Sequence, residues 1–206
     1  MDIQNGWQTL LDSWIVARDT TGELRSESRR FGCDCSDCIG WFYVDHNCGL
    51  SMIIHTFCAH RGRIIEAKAS PWKEQIMIVI RSDVLEKLKV SPLSKSQRDA
   101  VGLPEVFSEA LAAYRMPELE PIRKLEWLNP LRAPGYPDDI KVIIGSPEKK
   151  QEVVWARMER KLDANMFECT LLNQPQDDFG VEKGNRVAVR LKKVKGGVIS
   201  MCVGKV

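Results

Sequence analysis

The sequence predicts an α+β protein. An N-terminal β-meander with flanking helices precedes a small C-terminal antiparallel sheet or partly open barrel. Three observations carry this expectation. Short runs rich in β-branched and aromatic residues recur between positions 41 and 81, each closed by a turn signal. A second set, from Ile140 to Val203, is again apolar or alternating. Between them the apolar spacing becomes helical, and Asn129 to Asp139, with three prolines and one glycine, reads as a linker. The domains are therefore expected at 1–128, a cysteine-rich α+β part, and at 129–206, a small β part.

The elements follow in order. Trp7, Leu10, Leu11 and Trp14 recur at i, i+3, i+4 and i+7, which predicts an amphipathic helix over residues 5–18. Residues 19–32 are polar and read as loop. Trp41–Val44, Leu50–Phe57, Arg63–Ala67 and Gln75–Arg81 read as strands, with turns at Asn47–Gly49, His60–Gly62 and Ser70–Pro71. Asp83 and Glu86 form a capping pair for a helix reaching about residue 90. Pro104 can open a helix whose face is Val106, Phe107, Ala110, Leu111 and Tyr114. A third helix starts at Pro117, with Leu119, Ile122 and Leu125 inward. Further on, Ile140–Ile144, Glu152–Arg160 and Phe167–Leu172 read as strands, the last two joined by a hairpin turn at Asp163–Asn165. Val187, Val189 and Leu191 mark the inward face of the next strand, and Lys195–Gly197 turns the chain into the last, Val198–Val203.

Composition narrows the classes of function. Apolar residues make up 44% of the 206 and charged residues 28%, the balance of a soluble domain with a real core. Thirty Lys and Arg stand against 28 Asp and Glu, so no field of the whole chain draws in nucleic acid or membrane. No apolar run approaches the roughly 20 residues of a spanning helix. The opening residues lack the basic and apolar regions of a signal peptide, and the cytoplasm is the expected compartment.

The sharpest chemical signal is Cys33-Asp-Cys35-Ser-Asp-Cys38. Seven cysteines cannot all pair, and in a reducing compartment clustered thiols read as metal ligands, catalytic groups or buried hydrophobes. Two intervening residues let the sulfurs of Cys35 and Cys38 face one ion, Cys33 adds a third thiolate, and Gly32 and Gly40 permit a tight backbone. Cys48 is the first choice for a fourth ligand, with His46, Cys58 and His60 as alternatives. Such a set makes a closed, structural zinc site. Buried, incidental thiols are the competing reading, since the usual second C-x-x-C is missing. Cys58-Ala-His60 resembles the first half of a Rieske cluster motif, but no later C-x-x-H exists to complete it.

Catalytic readings have less to stand on. Cys58 lies near His55 and His60 in sequence, so a Cys–His nucleophile is conceivable, yet a buried thiol beside surface imidazoles is the simpler interpretation. The chain has no G-x-S-x-G, P-loop or dinucleotide motif. Asp138-Asp139 and Asp177-Asp178 read as solvated turn residues. Arg186, Arg190, Lys192, Lys193 and Lys195 form a basic stripe suited to an acidic partner or phosphate, or simply to protecting a sheet edge.

The C-terminal portion carries Trp155-Ala-Arg157-Met158, Leu171-Leu-Asn173-Gln-Pro175 and Gly180-Val-Glu-Lys-Gly184-Asn185-Arg-Val187. These runs resemble a family of small bacterial domains of unknown function with the pattern W-x-R, L-L-N-x-P, G-x-x-x-G-[DN]-x-V. Asn185 stands where Asp is more usual. The resemblance covers about 50 residues and implies an accessory or immunity-type role beside a toxin, with no catalytic residue to transfer. The function expected from the whole is non-enzymatic protein binding in a bacterial cytoplasm, with toxin neutralisation as its form. The runner-up is a zinc- or cysteine-dependent enzyme using the Cys33–His60 region, and nucleic-acid binding comes third.

Overall fold

The computed structural model of the chain describes residues 6–61, 64–105, 107, 111, 114–145 and 150–206. They divide into two compact units, Met1–Arg115 and Met116–Val206. The coarse form of the expected fold holds: two β-rich parts, with short helices beside the strands. The division falls thirteen residues earlier than 128/129, because Leu119, Ile122 and Leu128 pack into the second core.

The first unit is one sheet with both faces covered. Its strands are β1 (Ser13–Asp19), β2 (Asp37–Asp45), β3 (Gly49–Arg61), β4 (Ile64–Ala69), β5 (Ile78–Arg81) and β6 (Leu88–Pro92). The order is β4-β3-β2-β1-β6, with neighbouring strands antiparallel. β3 is long enough to take two neighbours along one edge. Its C-terminal half pairs with β4 and its N-terminal half with β5, so β5 folds back instead of extending the meander. On one face Ile15, Ala17, Phe42, Leu50, Met52 and Phe57 pack with Trp7, Leu10, Leu24 of α1 (Glu23–Arg30) and Leu85 of α2 (Ser82–Leu85). On the other, Trp14, Val16, Ile39, Trp41 and Ile53 meet Leu93, Leu103, Phe107 and Leu111. Trp14 is the hub of this second face. Its ring lies edge-on to Trp41, His55 and Phe107 at 5.3–5.4 Å, and its indole N–H donates to the Pro104 carbonyl at 2.8 Å.

The expected helix over 5–18 is a short 3-10 turn, Trp7–Leu10, followed by β1. Asp12 takes a positive φ of 49°, which ends the turn, and Ser13 onward buries both faces as a central strand does. The expected loop at 19–32 contains α1. Asp19 accepts backbone hydrogen bonds from Thr21, Gly22 and Leu24, so the orphan amides at the start of α1 are satisfied from a preceding strand. The Asp83 helix stops at Leu85 and gives way to β6. Ser94 and Gln97 form a reciprocal cap on α3 (Lys95–Val101), a helix not anticipated. The helix expected from Pro104 falls largely outside the described residues, although Phe107, Leu111 and Tyr114 do face the sheet.

The second unit is a closed five-stranded barrel. β8 (Tyr136–Gly145), β9 (Gln151–Asp163), β10 (Met166–Leu171), β11 (Arg186–Val194) and β12 (Gly197–Lys205) run up and down as antiparallel neighbours. With an odd number of strands the first and last point the same way, so closure requires a parallel pair. That pair is β12 with β8, in register at Met201 and Ile143, and Ser200 Oγ donates to the Lys141 carbonyl across it. Val187, Val189 and Leu191 face inward as expected, with Val142, Ala156, Met158, Phe167 and Cys169. The proline-rich stretch is not a linker. It forms a 3-10 turn (Glu126–Leu131), the two-residue strand β7 (Arg132–Ala133) and the start of β8. Asp138 and Asp139, expected to be solvated, are buried: Asp138 takes a bidentate pair from Arg123 of α4 (Glu120–Arg123) at 2.6 and 3.0 Å, and Asp139 one from Arg157 at 2.7 and 3.1 Å. These pairs replace the solvation that prolines and glycine seemed to offer.

Candidate functional site

Two places collect the chemistry. The first is a corner of the N-terminal sheet where β2 begins and β3 nears its end. Antiparallel pairing sets Asp37 opposite both Arg18 and Cys58. Cys33 and Cys35 enter from the loop after α1, and Ser28 holds that loop. Its buried Oγ stands 3.1 and 2.9 Å from the Cys33 and Cys35 carbonyls and accepts from the Cys35 amide at 2.9 Å. Cys33 is half-buried, with its Sγ 3.3 Å from the Ser28 carbonyl.

Cys48 does not join this corner. It lies in the turn at the far end of the β2–β3 hairpin, and the seven steps from Cys38 to Asp45 span roughly 23 Å of strand. His46 shares that turn. Cys58, an alternative in sequence, is the thiol that the register brings near. Even so, Cys38 and Cys58 belong to the cores on opposite faces of the sheet. Among the described residues no three His, Cys, Asp or Glu side chains stand together as a metal site would need. The donor set of Cys33, Cys35, Cys38 and Cys48 therefore does not fit a closed tetrahedral zinc.

The corner also tests the catalytic reading. His60 Nδ1 lies 2.5 Å from Asp37 Oδ2, so a base and its orienting carboxylate are present. The two thiols nearest them along the strands, Cys58 and Cys38, are sealed. Cys58 is fully buried, and burial, then the Asp37 charge, pushes its thiol up to about 12. Cys38 is raised well above the ordinary thiol value by burial as well. His55 is held below the usual imidazole value by burial and by Lys73, and stays neutral against Trp14.

The second place is the outer face of the barrel, where the strand registers line up one row of side chains. Val153 sits beside Ile143, Ile143 beside Met201 across the closing pair, Met201 beside Arg190, and Arg190 beside Met166. Val153 is 60% exposed and neighbouring Val203 50%. Trp155, two residues from Val153 on the same face, is half-buried under the Lys141 ammonium at 5.6 Å. Lys141, Arg190 and Lys192 fringe the row, and none has an ion-pair partner among the described residues.

The basic stripe expected at Arg186–Lys195 is thereby divided. Arg186 is neutralised by Glu168 at 2.9 Å, which also takes Arg160 at 2.6 Å. Lys193 rests over the Trp127 ring at 4.5 Å. Arg190 and Lys192 are left to the row. Sequence reasoning found these cations but not the apolar row, because its members come from five strands and only their register unites them.

Three of the residues quoted for the resemblance, Asn173, Gly184 and Asn185, brace the fold. Asn173 Oδ1 accepts from the Trp155 amide at 2.7 Å, Gly184 takes a φ of 85° and donates to the Leu171 carbonyl, and Asn185 Oδ1 accepts from the Glu182 amide. They brace the long β10–β11 connection. Comparison with protein-family models, curated proteins and solved structures finds no match.

Proposed function

We propose that this chain acts by binding another protein, without catalysis, and that the partner docks on the barrel face around Met201. The observation that supports this reading is the apolar row over the closure seam, fringed by cations with no ion-pair partner among the described residues. Exposed apolar side chains that adjoin one another, unlike single ones, mark interaction surfaces. A standard interface takes about 800 Å² from each partner, with aromatic and Arg anchors near its centre. Trp155 and Arg190 are placed to be those anchors. The charge of the fringe selects an acidic partner surface. Its apolar centre separates it from the unbroken cationic track that a phosphate backbone requires. Neutralisation of a toxin in the cytoplasm is the form of this function implied by the resemblance over residues 153–203. No described helix is long and apolar enough to cross a membrane.

The test uses the full chain as bait in cytoplasm of its source cells, beside Met201→Asp and Lys192→Glu. The expected result is a stoichiometric acidic partner retained by the wild type, lost with Met201→Asp at unchanged melting temperature, and recruited more slowly by Lys192→Glu. Equal capture by all three would move the interface elsewhere. Turnover of a small molecule that His60→Ala abolishes would replace binding by catalysis.

A further inference from the structure

The thiol corner takes no part in that docking face, and its geometry points to a chemistry of its own. The carbonyls of Cys33 and Cys35 converge on one hydroxyl, Ser28 Oγ, so the three-residue loop is curled and not extended. Two Cα atoms one residue apart then lie within the span a disulfide bridges, about 4.4–6.8 Å. The side chains meet as well: the Cys33 and Cys35 thiols interact with each other, and both pack on the same core. They differ in access. Cys33 is half-buried, whereas Cys35 is 6% exposed. Cations surround the loop, with Arg25 and Arg29 on Asp34 between the two thiols and Lys68 near Cys35.

We propose that Cys33 and Cys35 form a peroxide-sensitive thiol pair that closes to a disulfide within the loop. Cys33, the more accessible, reacts first. Its sulfur attacks the O–O bond of hydrogen peroxide, one oxygen stays as the sulfenic acid, and the other leaves as water with the thiol proton. The Cys35 sulfur then attacks the Cys33 sulfur. The S–S bond forms, and the sulfenic hydroxyl departs as a second water with the Cys35 proton. The two thiols lose two electrons and the peroxide gains them. Burial, then contact with Cys33, raises the Cys35 thiol to about 11, so it remains protonated at neutral pH and acts second. The sealed thiols of Cys38 and Cys58 are withheld from the first step. This inference does not depend on the docking reading.

The experiment treats the full chain with one equivalent of hydrogen peroxide, caps free thiols with iodoacetamide, and cleaves before aspartate. Cleavage before Asp34 and Asp37 separates Cys33, Cys35 and Cys38, so a linked pair identifies its own sulfurs. The expected product joins residues 19–33 to 34–36, disappears on reduction with dithiothreitol, and is missing from Cys33→Ser and Cys35→Ser. In Cys35→Ser, Cys33 should be trapped as a dimedone adduct. If Cys35→Ser fails to fold, Cys33→Ser, at the half-buried position, carries the comparison with the wild type. Complete alkylation after peroxide, a link from Cys35 to Cys38 or Cys58 instead, or oxidation of Cys33 to the sulfinic acid with no link would each overturn the proposal.

Discussion

Single side chains here carry electrostatic roles that the sequence assigned to solvent. Arg123 and Asp138 are 5% and 3% exposed and hold each other through two hydrogen bonds, tying α4 to β8. Arg132 beside them donates to the Ile122 and Leu125 carbonyls, and burial lowers it to about 10, since the Asp138 charge only partly offsets burial and the Arg123 charge adds to it. Arg123→Ala takes the bidentate pair from a buried carboxylate and should cost about 3–5 kcal/mol in denaturant unfolding. Adding Asp138→Leu to Arg123→Met removes both charges of that pair and should recover part of the loss, the rest remaining because Arg132 no longer has the Asp138 charge beside it. Asp19 sets a second expectation, for pH. Burial pushes its carboxyl up, but hydrogen bonds from Thr21, Gly22 and Leu24 outweigh that and hold it below the ordinary value of 3.8. A depressed carboxylate contributes stability above its unfolded pKa and loses it as pH falls through the folded one. The wild type should therefore lose roughly 1 kcal/mol relative to Asp19→Asn below about pH 4, the size of a helix-cap contribution, read from urea midpoints between pH 7 and 2.

At the scale of elements, what was legible was alternation, and what was not was pairing. The run that became β11 could be read from apolar residues at strand spacing; β2 and β3, buried on both faces, were legible from β-branched and aromatic residues closed by turns, and β10 from the hairpin turn before it. Trp7, Leu10, Leu11 and Trp14 misled for a physical reason. A strand buried on both faces has no alternation, and its apolar residues can fall at helical spacing by coincidence. The cysteines show the same limit. Their clustering was visible, but the length of β2 decides that Cys58 and not Cys48 lies near Cys33 and Cys35. Gly40, expected to permit a tight backbone around an ion, has a different duty inside β2. A Cβ there would lie 2.3 Å from the Ile53 carbonyl and 2.7 Å from Met52 Cγ. Gly40→Ala should push β2 and β3 apart and destabilise by about 1–3 kcal/mol, measurable as a lowered denaturant midpoint at unchanged slope.

The chain as a whole is two compact units, each with its own core. A fragment of residues 116–206 should therefore fold alone, with one cooperative thermal transition and dispersed amide resonances; a fragment beginning at 129 should not, since it lacks Leu119, Ile122 and Arg123. Protease should leave residues 129–139 uncut in the native fragment, because that stretch supplies two buried carboxylates. The odd strand count of the barrel has a consequence for engineering. An even meander brings its two ends back to one rim, where a short peptide can splice them. This one admits the chain at one mouth and releases it at the other. A circular permutant must then run its splice along the whole wall, at least about nine extended residues, and a shorter splice would tear the parallel seam that closes the cylinder.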